Sequence, residues 1–142
     1  MSNRISAWAL FSTLLVLSLG LILAQGETDG AQSKIVIANA SFIAQSPEKE
    51  NLNGEWVEIA NQGDADVNLT GWTLQDQQNH TFAFSDFTLK AGTKAMIHTG
   101  EGNNTDADLY WNRSGSVWNN DGDVATLKDI SGNIISRYPQ GA

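Results

Sequence analysis

Two short runs of alternating side chains near the middle of the chain constrain its fold more than any other feature. The first is 55–61 (Glu-Trp-Val-Glu-Ile-Ala-Asn), and the second is 69–76 (Leu-Thr-Gly-Trp-Thr-Leu-Gln-Asp). Alternation with a period of two puts one set of side chains into a core and the other set toward water, as in a β-strand. The segment between them, 62–66, consists of turn-forming residues. We therefore predict two strands joined by a loop.

Further strand signals recur at short intervals, with turn residues between them. They fall at 34–40, 81–84, 87–92, 93–98, 109–111, 116–118, 124–128 and 134–137. No stretch after residue 33 shows a sustained helical period. Many short strands separated by turn signals are typical of a sandwich or a barrel. We predict one all-β domain over 34–142, an antiparallel β-sandwich that hides Val57, Ile59 and Trp72 between its two sheets.

The start of the chain differs from the rest. Residues 5–24 carry no charge and follow Arg4, which is typical of a secretory signal peptide cleaved after Ala24. The stretch is also long enough, at about 20 residues, to stay as an N-terminal membrane-anchoring helix. Both alternatives predict an extracytoplasmic location for the rest, secreted or membrane-anchored, because Arg4 favours a cytoplasmic N-terminus. The polar segment 25–33 is predicted to be a linker.

Composition excludes several kinds of chemistry. The chain of 142 residues has no cysteine, two histidines and a net charge of −8. Thiol catalysis, thiolate metal sites and an imidazole-rich metal site are therefore excluded. Its basic residues are scattered singly among sixteen acids, whereas nucleic-acid binding needs basic patches. Nucleophile-elbow and phosphate-loop motifs do not occur. We predict a non-enzyme without a cofactor, in which His98 packs or bonds to a loop carbonyl.

The two opening runs belong to an ordered set of motifs. The others are Phe82 and Phe84 before Leu89-Lys90-Ala91-Gly92, then His98-Thr99-Gly100, Tyr110-Trp111 and Trp118 to Asp123. In this order the motifs resemble the lamin tail domain, in its prokaryotic secreted or surface type. The resemblance covers about Lys34 to Tyr138 and implies an immunoglobulin-like β-sandwich. The residues that match the family pattern are Glu55, Val57, Glu58, Ile59, Leu69, Gly71, Trp72, Gly92 and Gly122.

This chain lacks the coiled-coil rod of lamins and any fused nuclease or hydrolase domain, so no nuclear scaffolding role is carried over. The resemblance and the export signal favour an interaction module that contacts protein or cell-envelope partners. The alternative is a carbohydrate-binding module, because sugar rings stack on flat exposed aromatic rings. Its candidate residues are Trp56, Tyr110, Trp111 and Trp118. That hypothesis requires two or three coplanar rings that face solvent.

A third hypothesis is an enzyme that uses its acidic loops as a calcium or magnesium site. Asp106, Asp108, Asp121 and Asp123 supply the hard oxygen ligands that calcium prefers. Their spacing does not match an EF-hand. The other interpretation of 119–123 is a tight turn in which the side chains bond to the backbone.

Five Asn-x-Ser/Thr motifs occur in the chain. They are acceptors only where the source organism N-glycosylates exported proteins. Asn103 and Asn112 lie in predicted loops and are the best candidates, whereas Asn39 lies in a predicted strand and is the poorest.

Overall fold

The computed structural model of the protein describes residues 34–142. The predicted signal or anchor segment, 1–24, and the predicted linker, 25–33, lie outside the described residues. The strands are β1 (Ile35–Ser41), β2 (Trp56–Asn61), β3 (Val67–Asn68), β4 (Thr73–Gln75), β5 (Thr81–Ala83), β6 (Thr88–Leu89), β7 (Lys94–His98), β8 (Asp108–Tyr110), β9 (Ala125–Lys128) and β10 (Ile134–Tyr138). Two short 3-10 helices, Glu48–Glu50 and Leu52–Gly54, interrupt the connection from β1 to β2.

The strands form two four-stranded sheets and one small pair. Sheet I has the order β1-β2-β7-β8, sheet II has the order β10-β9-β4-β5, and β3 pairs with β6. The outer strands β1 and β10 meet side by side, where the Ile37 amide donates to the Ser136 hydroxyl at 2.9 Å. This contact closes one side of the sandwich. The other outer strands, β8 of sheet I and β5 of sheet II, lie on the opposite side of the sandwich.

The all-β prediction is confirmed, but the expectation of purely antiparallel pairing is wrong at one place. β8 runs parallel to β7, with Ile97 beside Leu109 and His98 beside Tyr110. Parallel neighbours need a connection that carries the chain back along the sheet. Here the loop 99–107 does so. As a result β1, β7 and β8 all end at the same end of the sandwich.

The core lies between sheets I and II and contains the residues predicted for it. Val57 and Ile59 have no exposed surface, and Trp72 is 8% exposed. Leu74 and Leu127 of sheet II belong to the same buried cluster. The alternation in β2 thus directs its aliphatic side chains inward, as an amphipathic strand requires.

One predicted strand is shorter in the structure and another is absent. Of 69–76 only Thr73–Gln75 is extended, because the Trp72 amide donates to the Leu69 carbonyl at 2.9 Å and Gly71 has a φ of +85°. This closes a tight turn just before β4. The segment 116–118 forms no strand either. Its Val117 amide is bonded by a side chain instead of by a neighbouring strand.

The predicted strands 124–128 and 134–137 form a hairpin. β9 and β10 pair antiparallel around the turn 129–133, in which the Gly132 amide donates to the Asp129 carbonyl at 2.9 Å. Among residues 34–142, no helix has the length and apolar character needed to cross a membrane.

Candidate interaction site at the loop end

Three loops meet where β1, β7 and β8 end, and we call this region the loop end. They comprise residues 42–55, 99–107 and 111–124. Backbone bonds join the last two: the Arg113 amide donates to the Thr99 carbonyl, and the Asn112 amide donates to the Gly100 carbonyl, both at 3.0 Å. The Asn53 side chain donates to the Glu101 carbonyl, also at 3.0 Å. The three loops are therefore tied into one unit.

Glu55 lies beneath these loops and is fully buried, at 0% exposure. One carboxylate oxygen, Oε2, accepts the Val117 amide at 3.1 Å, and the Glu55 carbonyl accepts the Thr99 amide at 3.1 Å. Glu55 does not flank the core face but lies on it. Glu55 has the same alternation as Val57 and Ile59, so it points inward with them.

Glu48 links the loops from the outside. Its carboxylate accepts a hydrogen bond from the Ser116 hydroxyl at 3.2 Å and a second one from the side-chain amide of Asn120. The 3-10 helix Glu48–Glu50 is thereby attached to the loop 111–124. Hydrogen bonds therefore fix the loop 42–55 to the loop 99–107 on one side and to the loop 111–124 on the other.

Between the loops runs an open groove of about 590 Å³. It is lined by Gln45, Lys49, Glu50, Asn51, Leu52, Asn53, Gly54, Gly100, Glu101, Arg113 and Ser114. Two of these side chains are cations, Lys49 and Arg113, and two are anions, Glu50 and Glu101. None of the four takes part in an ion pair within residues 34–142. Unpaired charges of both signs are thus available to a ligand.

The predicted aromatic residues are divided between two places. Trp56, His98 and Tyr110 occupy one row across the outer face of sheet I. The Tyr110 ring stacks on His98 with centroids 5.0 Å apart, and Gly102 packs so closely on Tyr110 that a Cβ there would overlap the ring. His98 also lies 3.3 Å from the Asn53 carbonyl, which confirms its predicted bond to a loop carbonyl.

Trp111 and Trp118 lie between the sheets instead. Trp118 is 3% exposed and stacks on Phe42 with centroids 5.0 Å apart. Trp111 meets Trp118 edge to face, with an angle of 75° between the ring planes. The expectation of an exposed ring is wrong for Trp118, which packs in the core. The four predicted rings do not form the flat platform that the carbohydrate hypothesis requires.

The four predicted calcium ligands are likewise separated by their contacts. Asp123 is buried and accepts the amides of Gln77, Asn119 and Val124 at 3.1, 2.9 and 2.7 Å. This is the turn interpretation of 119–123. Asp108 bonds to His98 Nε2 at 2.9 Å, while Asp106 and Asp121 are exposed. Over residues 34–142, no three acidic or histidine side chains are grouped to hold a metal ion.

The two favoured glycosylation positions lie next to each other. Asn103 and Asn112 are exposed and line a shallow depression beside the groove with Glu101 and Gly102. The Asn112 side chain also accepts the Gly102 amide at 3.4 Å. Asn39 lies within β1, as predicted. Glycosylation of any of them stays a prediction.

No motif in the sequence marks the groove. Its lining comes from three loops that are distant in the chain, and none of its charged residues belongs to a motif. The only local signal was the polar stretch 45–54 with its Glu-Lys-Glu cluster. Such a cluster is usually a solvated surface, so it does not point to a site by itself.

Two facing four-stranded sheets around one apolar core are typical of an immunoglobulin-like β-sandwich. The model of the Lamin Tail Domain family matches residues 28–142. The chain therefore belongs to the Lamin Tail Domain family, whose members are generally non-catalytic interaction domains. A comparison with curated proteins found no match.

Proposed function

We propose that this protein is a non-catalytic extracytoplasmic interaction module that binds a protein or cell-envelope partner in the loop-end groove. The observation that carries the proposal is the set of unpaired charges, Lys49, Arg113, Glu50 and Glu101, on walls that are already fixed by hydrogen bonds. A pre-organised site loses less conformational entropy on binding than a flexible one. The groove therefore suits a partner that docks into it without rearrangement of its walls.

The groove lining also indicates the kind of partner. Amide side chains (Gln45, Asn51 and Asn53) accompany the charges, and no aromatic ring lines the groove. This suits a polar polypeptide surface with charges of both signs better than an apolar molecule. Contacts between exposed charges weaken as salt screens them. Binding is accordingly expected to weaken at high ionic strength.

The extracytoplasmic location is supported by Arg4 and the uncharged segment 5–24. Protease treatment of intact cells tests it separately from binding. The full chain should be digested without cell lysis. Protection of the chain until lysis would contradict this part of the proposal.

Site-specific photo-crosslinking in cells of the source organism tests the groove. A photoreactive residue at Ser114, in the groove, should give a discrete adduct, whereas one at Asp64, at the opposite end of the sandwich, should not. Reversing a charge with Arg113→Glu should abolish the adduct, and Arg113→Lys should largely keep it. Equal adducts at both positions, or an adduct insensitive to Arg113→Glu, would reject the groove as the binding site.

A further inference from the structure

We propose that the protein has a second interaction surface, at which an extended strand of a partner polypeptide pairs with β5. This surface consists of the outer edge of β5 and the partly buried rings of Phe82 and Trp111. We call it the open flank, because it lies on the side of the sandwich opposite the β1–β10 contact. It is separate from the loop-end groove and does not depend on it.

The backbone of β5 has one paired edge and one unpaired edge. On the side toward β4, the Phe84 amide donates to the Trp72 carbonyl at 3.0 Å, and the His80 carbonyl accepts the Asp76 amide at 3.3 Å. In an antiparallel pair, bonded residues alternate with residues that face the other way. The N–H and C=O groups of Thr81 and Ala83 therefore point away from β4. Within residues 34–142, no strand pairs with that edge.

The other outer strands are covered. The loop 99–107 shields β8, because the Tyr110 amide donates to the Asn104 side chain at 2.9 Å. β1 and β10 shield each other through the bond from Ile37 to Ser136. Exposed edges are usually protected by a short strand length, charges, proline, a bulge or a covering segment. β5 carries no charge, proline or bulge, and along its three residues the outward-facing N–H and C=O groups of Thr81 and Ala83 are free to pair with a partner strand.

Side chains define what the partner strand needs. Phe82 points toward the core side but is only partly buried, and its ring lies 5.8 Å from that of Trp111. A strand added beside β5 would place alternate side chains over these rings. The residues between them would lie beside Thr81 and Ala83, which are exposed. The expected ligand is thus an extended segment in which apolar and small polar residues alternate.

Charge favours a different polypeptide over a second copy of this chain. Each copy carries a net charge of −8. Two copies joined along β5 would bring two acidic domains side by side, and like charges oppose such an association. An uncharged or basic segment meets no such repulsion. Backbone pairing with alternating side-chain contacts is an established mode of peptide recognition.

The test uses the full chain in detergent micelles and a fluorescein-labelled peptide, Lys-Thr-Leu-Thr-Leu-Thr-Lys. Fluorescence anisotropy should show saturable binding to the wild-type protein. The same peptide with alternate backbone amides N-methylated keeps its side chains but loses donors. Because each lost hydrogen bond weakens binding, this peptide should bind at least about fivefold more weakly. Ala83→Pro removes an outward-facing N–H and should weaken binding similarly, whereas Ala83→Val should not.

Several results would overturn the proposal. One is the absence of saturable binding to the wild-type protein, and another is equal binding of the N-methylated peptide. The latter comparison uses only wild-type protein, so it does not depend on the folding of Ala83→Pro. Sedimentation showing a dimer that Ala83→Pro dissolves would assign the edge to a second copy instead. Arg113→Glu, which tests the groove, should leave peptide binding unchanged.

Discussion

Glu55 directly precedes the core strand β2 and connects it to the loops of the loop end. Its buried carboxylate accepts a hydrogen bond from the backbone amide of Val117, which lies 62 positions further along the chain. Removing one partner of a buried hydrogen bond leaves the other unsatisfied, which costs about 1–3 kcal/mol. Glu55→Ala also removes buried volume. We expect it to lower the free energy of unfolding by about 2–4 kcal/mol, measured by urea denaturation.

Glu55→Gln is the matched control, because its amide oxygen can still accept the Val117 amide and its size is nearly unchanged. Glu55→Gln should lower the free energy of unfolding by about 1 kcal/mol or less. Equal losses for the two variants would show that the hydrogen bond to Val117 does not matter. A selective loss in Glu55→Ala would support the role assigned to this residue.

Asp129 gives a pH-dependent prediction in the turn between β9 and β10. The hydrogen bond from the Asn133 side chain, together with backbone N–H groups of the turn, lowers the pKa of Asp129 below its ordinary value of 3.8. A lowered pKa in the folded state means that the ionised form stabilises the fold. That contribution is present above the unfolded-state pKa and is lost as the pH falls through the lowered value.

Asn133→Ala removes the largest cause of this shift. We expect the pKa of Asp129, followed by NMR titration of its carboxyl carbon, to rise toward 3.8. Asp66, whose pKa is lowered by Lys90 at a separate site, serves as the internal control and should not move. An unchanged Asp129 pKa in the variant would refute the assignment to Asn133.

At the scale of an element, the turn between β6 and β7 depends on a glycine. Gly92 has a φ of +69°, and a Cβ added there would meet nothing within 4 Å. Any cost of Gly92→Ala is therefore a backbone cost, and we expect about 1 kcal/mol of destabilisation in thermal or urea unfolding. Gly115 also has open space around it but no φ in the left-handed range. Gly115→Ala should leave the free energy of unfolding unchanged or raise it slightly. An equal loss of stability in Gly92→Ala and Gly115→Ala would show that the backbone conformation of Gly92 is not the cause.

The two acidic loops give an element-scale prediction about metal. The carboxylates of Asp123 and Asp108 already accept hydrogen bonds from the protein. We expect calcium chloride to raise the thermal unfolding midpoint no more than sodium chloride does at equal ionic strength, since a specific rise requires a ligand that binds the folded state. A saturable rise that Asp121→Asn abolishes would restore the calcium hypothesis. Magnesium chloride is tested in the same way, because the hypothesis includes either ion.

Local periodicity predicted the strands well, and non-local contacts explain where it failed. β2 was recognisable because alternation is a property of neighbouring residues. The segment 116–118 has the composition of a strand, yet its Val117 amide bonds to Glu55, which no local pattern reveals. Burial of Trp118 follows from its stacking on Phe42, a partner also distant in sequence. The groove was missed for the same reason, because its walls come from three separate loops.

At the scale of the whole molecule, acidic residues outnumber basic ones. Eight lysines and arginines face sixteen aspartates and glutamates, giving a net charge of −8. Self-repulsion destabilises a compact state, and salt at about 0.15 M screens it over about 8 Å. Surface ion pairs such as Lys90–Asp66 contribute little. We expect the free energy of unfolding in urea to rise by a few tenths of a kcal/mol between low salt and about 0.15 M sodium chloride. A fall would mean that attractive pairs dominate.

The contact between β1 and β10 has a mechanical consequence. Ile37 and Asn39 meet Ser136 and Tyr138 in the same order, so the two strands run parallel and the described chain enters and leaves at opposite poles. A pulling force applied at the two poles would act along these strands and load their ladders with β2 and β9 in shear. All bonds of a ladder resist shear together, whereas peeling breaks them one at a time. Force applied at the two poles would therefore be resisted by each ladder as a whole.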